Sequence, residues 1–326
     1  MDAVRAAARL SKAGGPHIIL VGDAADLQQR LSAIGYDPMR LRLVDSGVTC
    51  PPPGADHIAR RDATRATLPT ALALLAAGEG DALITASDER VVLPLARAHL
   101  APLGPHSPVA AAAVFPTMPR SSSADPLALL LDVSGDATCT AETLVGQARL
   151  GAVYSRVVSG IRQPQVALLS TGLEANDGPD AVVAAHGALR ELPEVRFVGN
   201  LRAIDLPRGY ADVIVTDGFT GHAVRGLLEG LTEMTVDAAR YAWKTRLTWR
   251  VGLRLLAKGV GMLRKVSEFQ NYGGAPLLGL DGLVLLAAPD SRDEAFGNAI
   301  RLAAKCVRRD LVGQLRAAVA EADHDS

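Results

Sequence analysis

Short aliphatic runs alternate along the chain with longer stretches in which apolar residues recur every three or four positions. His17-Ile18-Ile19-Leu20-Val21, Leu41 to Val44, Asp81-Ala82-Leu83-Ile84-Thr85 and Val109 to Val114 read as strands. So do Leu127 to Val133, Gln165 to Leu169, Val195 to Gly199, Val213-Ile214-Val215 and Leu283 to Leu286. Helical spacing covers residues 2–12, 62–77, 140–158, 179–190 and about 291–320. Two more helices start at Gly22-Asp23 and at Ser87-Asp88. Pro51-Pro52-Pro53-Gly54 and the segment Pro116 to Pro126 read as loops. This alternation predicts an α/β fold: a doubly wound, mostly parallel sheet with helices on both faces, an α/β/α sandwich, in one domain over residues 1–326.

One junction carries most of the candidate chemistry. Val213-Ile214-Val215 is a buried-strand pattern that Asp217-Gly218 breaks, and Val224, Leu227, Leu228 and Leu231 then follow at helical spacing. Thr220 is the expected cap of that helix. A turn from a strand's carboxyl end into a helix amino end presents unpaired N–H groups, and anions bind there in open α/β sheets. Gly218 and Gly221 would let a ligand approach the backbone. The same glycines also fit an ordinary βα turn in which they serve geometry alone.

Residues 243–266 break the alternation. Every charge in them is positive: Lys244, Arg246, Arg250, Arg254, Lys258, Arg264 and Lys265. Leu253, Leu256 and Val260 form a helical stripe, and both tryptophans, Trp243 and Trp249, sit here. A projecting pair of basic amphipathic helices with interfacial tryptophan suits an anionic membrane surface. A pair of helices packed on a partner subunit fits the same pattern.

Composition narrows the class. Of 326 residues, 48% are hydrophobic and only 4% aromatic, so the core is aliphatic, and the formal net charge of -1 argues against a general nucleic-acid binder. Cys50, Cys139 and Cys306 are far apart, which fits a reducing cytoplasm and predicts no metal site. The amino terminus carries no apolar signal core, and no apolar run is long enough to span a bilayer. No dinucleotide fingerprint follows the first strand, and no Gly-x-Ser-x-Gly elbow is present.

Several ordered motifs resemble the bacterial phosphate acyltransferase family, the acyl-ACP:phosphate transacylases. The most specific is Tyr272-Gly273-Gly274-Ala275-Pro276-Leu277-Leu278-Gly279-Leu280-Asp281-Gly282. Phe197-Val198-Gly199-Asn200 and Asp212 to Gly221 match in the same order, as do Leu130-Leu131-Asp132-Val133 and Gly151-Ala152-Val153-Tyr154. The resemblance implies a homodimeric, peripherally membrane-associated cytoplasmic enzyme of phospholipid synthesis. It implies transfer of the acyl group of acyl carrier protein to inorganic phosphate, giving an acyl phosphate, without metal or redox cofactor. A downstream glycerol-3-phosphate acyltransferase would take the product.

With the residue patterns, the resemblance nominates Asp217, His222 and Asn200 for catalysis and Gly218, Thr220, Gly221, Gly273 and Gly274 for substrate binding. It nominates Trp243, Trp249, Arg250, Leu253, Arg254, Leu256 and Lys258 for the membrane contact. The chain departs from the family pattern at Thr85 to Arg90, at Asp132-Val133-Ser134-Gly135-Asp136, at Ser170 to Glu174 and at Arg202-Ala203. Family members usually begin with a strand that ends in an Asp- and Gly-rich loop, whereas here only Met1-Asp2-Ala3 precedes the first helix. These departures leave a second reading open, a homologue without turnover that binds acyl chains or acyl carrier protein as a scaffold. Arg202 could also replace a family phosphate ligand.

Overall fold

The computed structural model describes residues 2–49, 57–118, 127–245, 248–249, 252, 274–287 and 293–324. In chain order the elements begin α1 (Asp2–Lys12), β1 (Ile18–Gly22), α2 (Ala24–Ile34), β2 (Leu41–Asp45), α3 (His57–Ala76), β3 (Ala82–Thr85) and α4 (Glu89–His99). Then come β4 (Ala110–Pro116), β5 (Leu127–Leu131), α5 (Ala141–Tyr154), β6 (Gln165–Leu169), α6 (Asp180–Arg190), β7 (Arg196–Leu201), β8 (Val213–Val215) and α7 (Gly218–Thr245). The chain closes with β9 (Ala275–Leu278), β10 (Leu283–Leu286), α8 (Asp293–Arg308) and α9 (Leu311–His324). They form two compact units, one of Met1–Ala111 with Gln270–Ser326, the other of Ala112–Phe269.

In the first unit, β1 and β2 pair in parallel as a two-stranded sheet of their own. Val4, Ala7 and Ala8 of α1 pack with Leu31 and Leu41 into a small core under that pair. A second sheet has β10 parallel to β3 and antiparallel to β9, and Ala110 and Ala111 of β4 run antiparallel to β9. Asp23 and Asp88 cap α2 and α4, accepting backbone N–H groups of the first turn, and Asp88 also pairs with Arg90 at 2.6 Å.

The second unit is organised around four parallel strands in the order β5-β8-β6-β7, with Ala112–Pro116 of β4 antiparallel to β5. Leu129, Leu130, Leu131, Val166, Ala167, Leu168, Val213, Ile214 and Val215 are all buried. That explains why these strands read as continuous apolar runs: helices cover both faces of parallel strands. Each Val, Leu and Ile side chain among them contributes roughly 1.5–3 kcal/mol when fully buried. α5 lies directly on β8. A Cβ at Gly151 would come within 2.5 Å of Val213 Cγ1, so the close helix–strand approach requires glycine there. The register aligns Leu131, Val215, Leu168 and Asn200, so the carboxyl ends of all four strands finish at one edge.

The α/β class with parallel pairing predominant is what the hydrophobic pattern predicts. Several details differ. The helix expected over 140–158 ends as an α-helix at Tyr154 and continues as a π turn, Ser155–Ser159. The single closing helix is broken between Arg308 and Leu311, where Asp310 adopts a positive φ of 50°. Asp tolerates that left-handed conformation better than most side chains. β9 lies within a stretch that reads as a glycine-rich motif, and Pro276 disguises it as a non-strand. β7 does not neighbour β8, as chain order suggests; β6 lies between them. The loop 119–126 lies outside the described residues.

Candidate active site

The carboxyl edge of the second unit gathers the junction residues. Asp132, Ser134 and Asp136 follow β5, Asp217 and Gly218 follow β8, Ser170 follows β6 and Arg202 follows β7. Asp132 is buried. Its Oδ1 accepts the Ser134 N–H at 2.8 Å, and its Oδ2 accepts the Ser134 hydroxyl at 2.6 Å. This folds the segment after β5 into a tight turn that lies against the start of α7.

That packing decides what the start of α7 does. The Phe219 N–H donates to the Asp136 carbonyl at 3.0 Å, and the Gly135 N–H to the Gly218 carbonyl at 3.1 Å. Asp217 is the cap: its Oδ1 accepts the Thr220 N–H at 2.8 Å, and its carbonyl accepts the Gly221 N–H at 3.0 Å. Thr220 lies inside the first turn, so its expected role as cap passes to Asp217, whose carboxylate reaches the donor that a cap must satisfy. A Cβ at Gly218 would meet the Asp136 carbonyl and the Ser134 hydroxyl, each at 2.7 Å, and one at Gly221 would run into the Asp132 carbonyl. Both glycines are therefore required by the approach of the chain's own backbone. The N–H groups of Phe219, Thr220 and Gly221 are bonded within the protein.

The corner is acidic. Burial pushes the Cys139 thiol up to about 11, and the carboxylates of Asp217, Asp132 and Asp136 add to the shift. Among the described residues no group of three or more His, Cys, Asp or Glu is arranged to hold a metal ion. His222 stands one residue past Gly221, exposed on the first turns of α7.

Asn200 is buried, and its side chain is committed. Its Oδ1 lies 2.9 Å from His186 Nδ1 and its Nδ2 donates to the Glu174 carbonyl at 2.7 Å. His186 is itself buried on α6, edge-on to Phe197 with ring centroids 5.0 Å apart. The pair fixes the loop after β6, which also closes on itself through Ser170 Oγ donating to the Asp177 carbonyl at 2.6 Å and the Glu174 N–H donating to Asp177 Oδ2 at 2.8 Å. Asn200 thus positions a loop at the strand edge. Arg202 is likewise engaged, its Nε 2.9 Å from Asp205 Oδ2.

Gly274 belongs to the first unit. Its φ is 98°, and a Cβ there would come within 2.5 Å of the Leu286 carbonyl, so the entry into β9 needs glycine. Gly273 lies outside the described residues, as do Arg250, Leu253, Arg254, Leu256 and Lys258. Trp243 and Trp249 are exposed. Among the described residues no helix is long and apolar enough to cross a membrane.

Ser134, Asp136, Cys139 and His186 are at or behind this edge without having been singled out from sequence. The turn Asp132 to Asp136 stands out in sequence as a departure, but not as a packing partner of α7. His186 carried no usable signal, because a lone histidine on a helix gives no hint of its partner fourteen residues on.

Comparison with known proteins agrees with this architecture. Residues 1–314 match the family model described as "Fatty acid synthesis protein". The phosphate acyltransferase of Moorella thermoacetica is 31% identical over 314 residues, covering 96% of this chain and 90% of its own. That of Elusimicrobium minutum is 31% identical over 316 residues, covering 97% and 91%. Among solved structures, a phosphotransacetylase from Streptococcus pyogenes superposes with a TM-score of 0.58 at 16% identity, covering 94% of this chain and 91% of its own. The EutD phosphotransacetylase from Staphylococcus aureus gives 0.55 at 15%, covering 93% and 89%. The structural likenesses speak to the fold. The near-full-length sequence matches show that the chain is an enzyme of the phosphate acyltransferase family.

Proposed function

We propose that this enzyme transfers the acyl group of acyl carrier protein to inorganic phosphate, forming an acyl phosphate for phospholipid synthesis. The observation that carries the reading is the 31% identity to phosphate acyltransferases across 96% of the chain. A phosphate oxygen attacks the thioester carbonyl, the tetrahedral intermediate collapses, and the carrier's thiolate leaves and takes up a proton. The reaction takes place at the carboxyl edge of β5, β8 and β6, the usual binding edge of open α/β sheets.

The Phe219, Thr220 and Gly221 N–H groups are bonded internally, so we place the phosphate against side chains. His222 fills that role: its ring N–H donates to a phosphate oxygen, and it passes a proton to the departing thiolate. Asp217 holds the start of α7, and with it His222, in position. Thr220, half-buried in that first turn, lies beside the anion, whereas Gly218 and Gly221 are buried against the turn after β5.

Incubation with acyl carrier thioester and phosphate, followed by hydroxylamine trapping of the acyl phosphate, tests the reading. Phosphate-dependent hydroxamate above a no-protein control is expected, with kcat/KM falling by about 100-fold in His222→Ala. Carrier binding without any hydroxamate would instead support a scaffold.

We also propose that α7 and the basic segment after it carry the homodimer and the peripheral membrane contact at the cytoplasmic face. The support is a row of exposed apolar side chains on α7, Leu227, Leu231, Met234 and Tyr241, spaced as in a helix–helix seam.

A further inference from the structure

We propose that the 3-10 turn Ala203–Arg208, with Arg202 before it, is the docking surface for an acidic helical carrier protein. This rests on the acyl-transfer reading above and concerns how the donor is held, not how it reacts. At three residues per turn, positions 202, 205 and 208 fall on one side of the segment. Asp205 is buried, 3% exposed, and both arginines close over it. Arg202 Nε lies 2.9 Å from Oδ2, Arg202 Nη2 3.4 Å from Oδ1 and Arg208 Nη1 3.0 Å from Oδ1. Two cations against one carboxylate leave a net positive charge. The arginine side chains stay 46% and 53% exposed although their positions are fixed. Ile204, beside them, is 66% exposed, and Tyr210 just beyond the turn is exposed as well.

The occupant follows from this chemistry. The Nε–Nη2 edge of Arg202, the fork that would grip a phosphate bidentately, is spent on Asp205. That edge is closed to a free phosphate, and Arg208 already spends its Nη1 on the same carboxylate. A lipid surface needs several unpaired cations, each worth about 1 kcal/mol, and one net charge does not supply them. What the segment offers is an exposed apolar side chain next to two pre-ordered cations, which suits an acidic protein helix that also carries an apolar contact. Pre-ordered arginines lose little side-chain freedom on binding, and aromatic and Arg side chains are the usual anchors of such contacts. The place is also apt. The segment leaves β7 directly after Asn200 and Leu201, which align with Leu168 and Leu169 of β6 at the carboxyl edge. A carrier seated here presents its thioester beside the edge where phosphate must attack.

The test is direct binding, which does not depend on turnover. A purified bacterial acyl carrier protein carrying a fluorophore is titrated with the full-length chain, and anisotropy gives Kd. Ile204→Glu is expected to weaken binding at least tenfold. Ile58→Glu, at an exposed isoleucine of the first unit, is expected to leave it unchanged, and both variants should keep the wild-type melting temperature. Binding should weaken several-fold between low and about 0.3 M salt, because the charge contribution is screened. No binding by the wild type, equal binding by Ile204→Glu, or binding indifferent to salt would each overturn the proposal. Salt-sensitive binding lost in Ile204→Glu, with no acyl phosphate formed, would sink the catalytic reading and leave the docking surface standing.

Discussion

At the scale of single residues, the junction after β8 shows how one carboxylate and two glycines set a helix start. Asp217 takes the Thr220 N–H, so removing it leaves an orphan donor; Asp217→Ala is expected to cost about 1 kcal/mol of stability. Gly221 faces the Asp132 carbonyl with no space for a methyl group, so Gly221→Ala forces backbone movement and is expected to cost about 1–3 kcal/mol. Chemical denaturation of the two variants measures both, and a cost at position 221 near zero would mean that the turn after β5 yields freely. Asp205 gives a pH signature. Hydrogen bonding from Arg202, then the charges of Arg202 and Arg208, hold its carboxyl below the ordinary range, against its burial. A depressed folded value contributes stability above the unfolded carboxylate range, near pH 4, and loses it as pH falls through the lower folded value. Urea midpoints between pH 2 and 6 should therefore fall less steeply with acid in Asp205→Asn than in the wild type.

At the scale of elements, sequence was most informative where burial on both faces imposed a pattern. Gln165–Leu169 and Val213–Val215 were legible to the residue because their buried positions, Val166 to Leu169 and Val213 to Val215, are all apolar, as strands between two helical layers require. β9 was not legible, because Pro276 and its flanking glycines look like a loop and only the neighbouring strands make it a strand. The candidate site was legible as a place more than as a set of roles. Asp217, Gly218 and Gly221 do meet at the strand edge, but their partners Asp132, Ser134 and Asp136 come from a turn some eighty residues earlier, a pairing that spacing cannot reveal. α7 poses the remaining question, since its row of Leu227, Leu231, Met234 and Tyr241 is exposed. Leu231→Glu with Met234→Glu should shift the protein from dimer to monomer in sedimentation velocity. Leu253→Glu with Leu256→Glu should instead reduce binding to anionic liposomes, binding that weakens with salt but keeps its apolar part. A wild type that is monomeric and ignores anionic lipid would remove both proposed roles.

At the scale of the whole molecule, the chemistry around the strand edge constrains the order of events in turnover. A covalent route would place the acyl group on the enzyme before phosphate arrives, and it needs an activated nucleophile. Among the described residues, Cys139 is a thiol near the edge, but burial and the carboxylates of Asp217, Asp132 and Asp136 push it up to about 11. At pH 7.5 roughly one molecule in a few thousand then carries the thiolate, which is the reactive form. Ser134 is no better placed. Its hydroxyl is buried, donates to Asp132 at 2.6 Å, and lies where even a methyl group on Gly218 would collide with it. A thioester carbonyl has no approach to that oxygen. With these two groups unsuited to carry the acyl chain, the proposed reaction has phosphate as the nucleophile, which requires donor and phosphate to be bound together. Initial rates measured against acyl carrier thioester at several phosphate concentrations should therefore give intersecting double-reciprocal lines. Intact-mass measurement after incubation with the thioester alone should find no acylated enzyme. Parallel lines, or a stoichiometric release of free carrier before phosphate is added, would show that a group on the protein takes the acyl chain first.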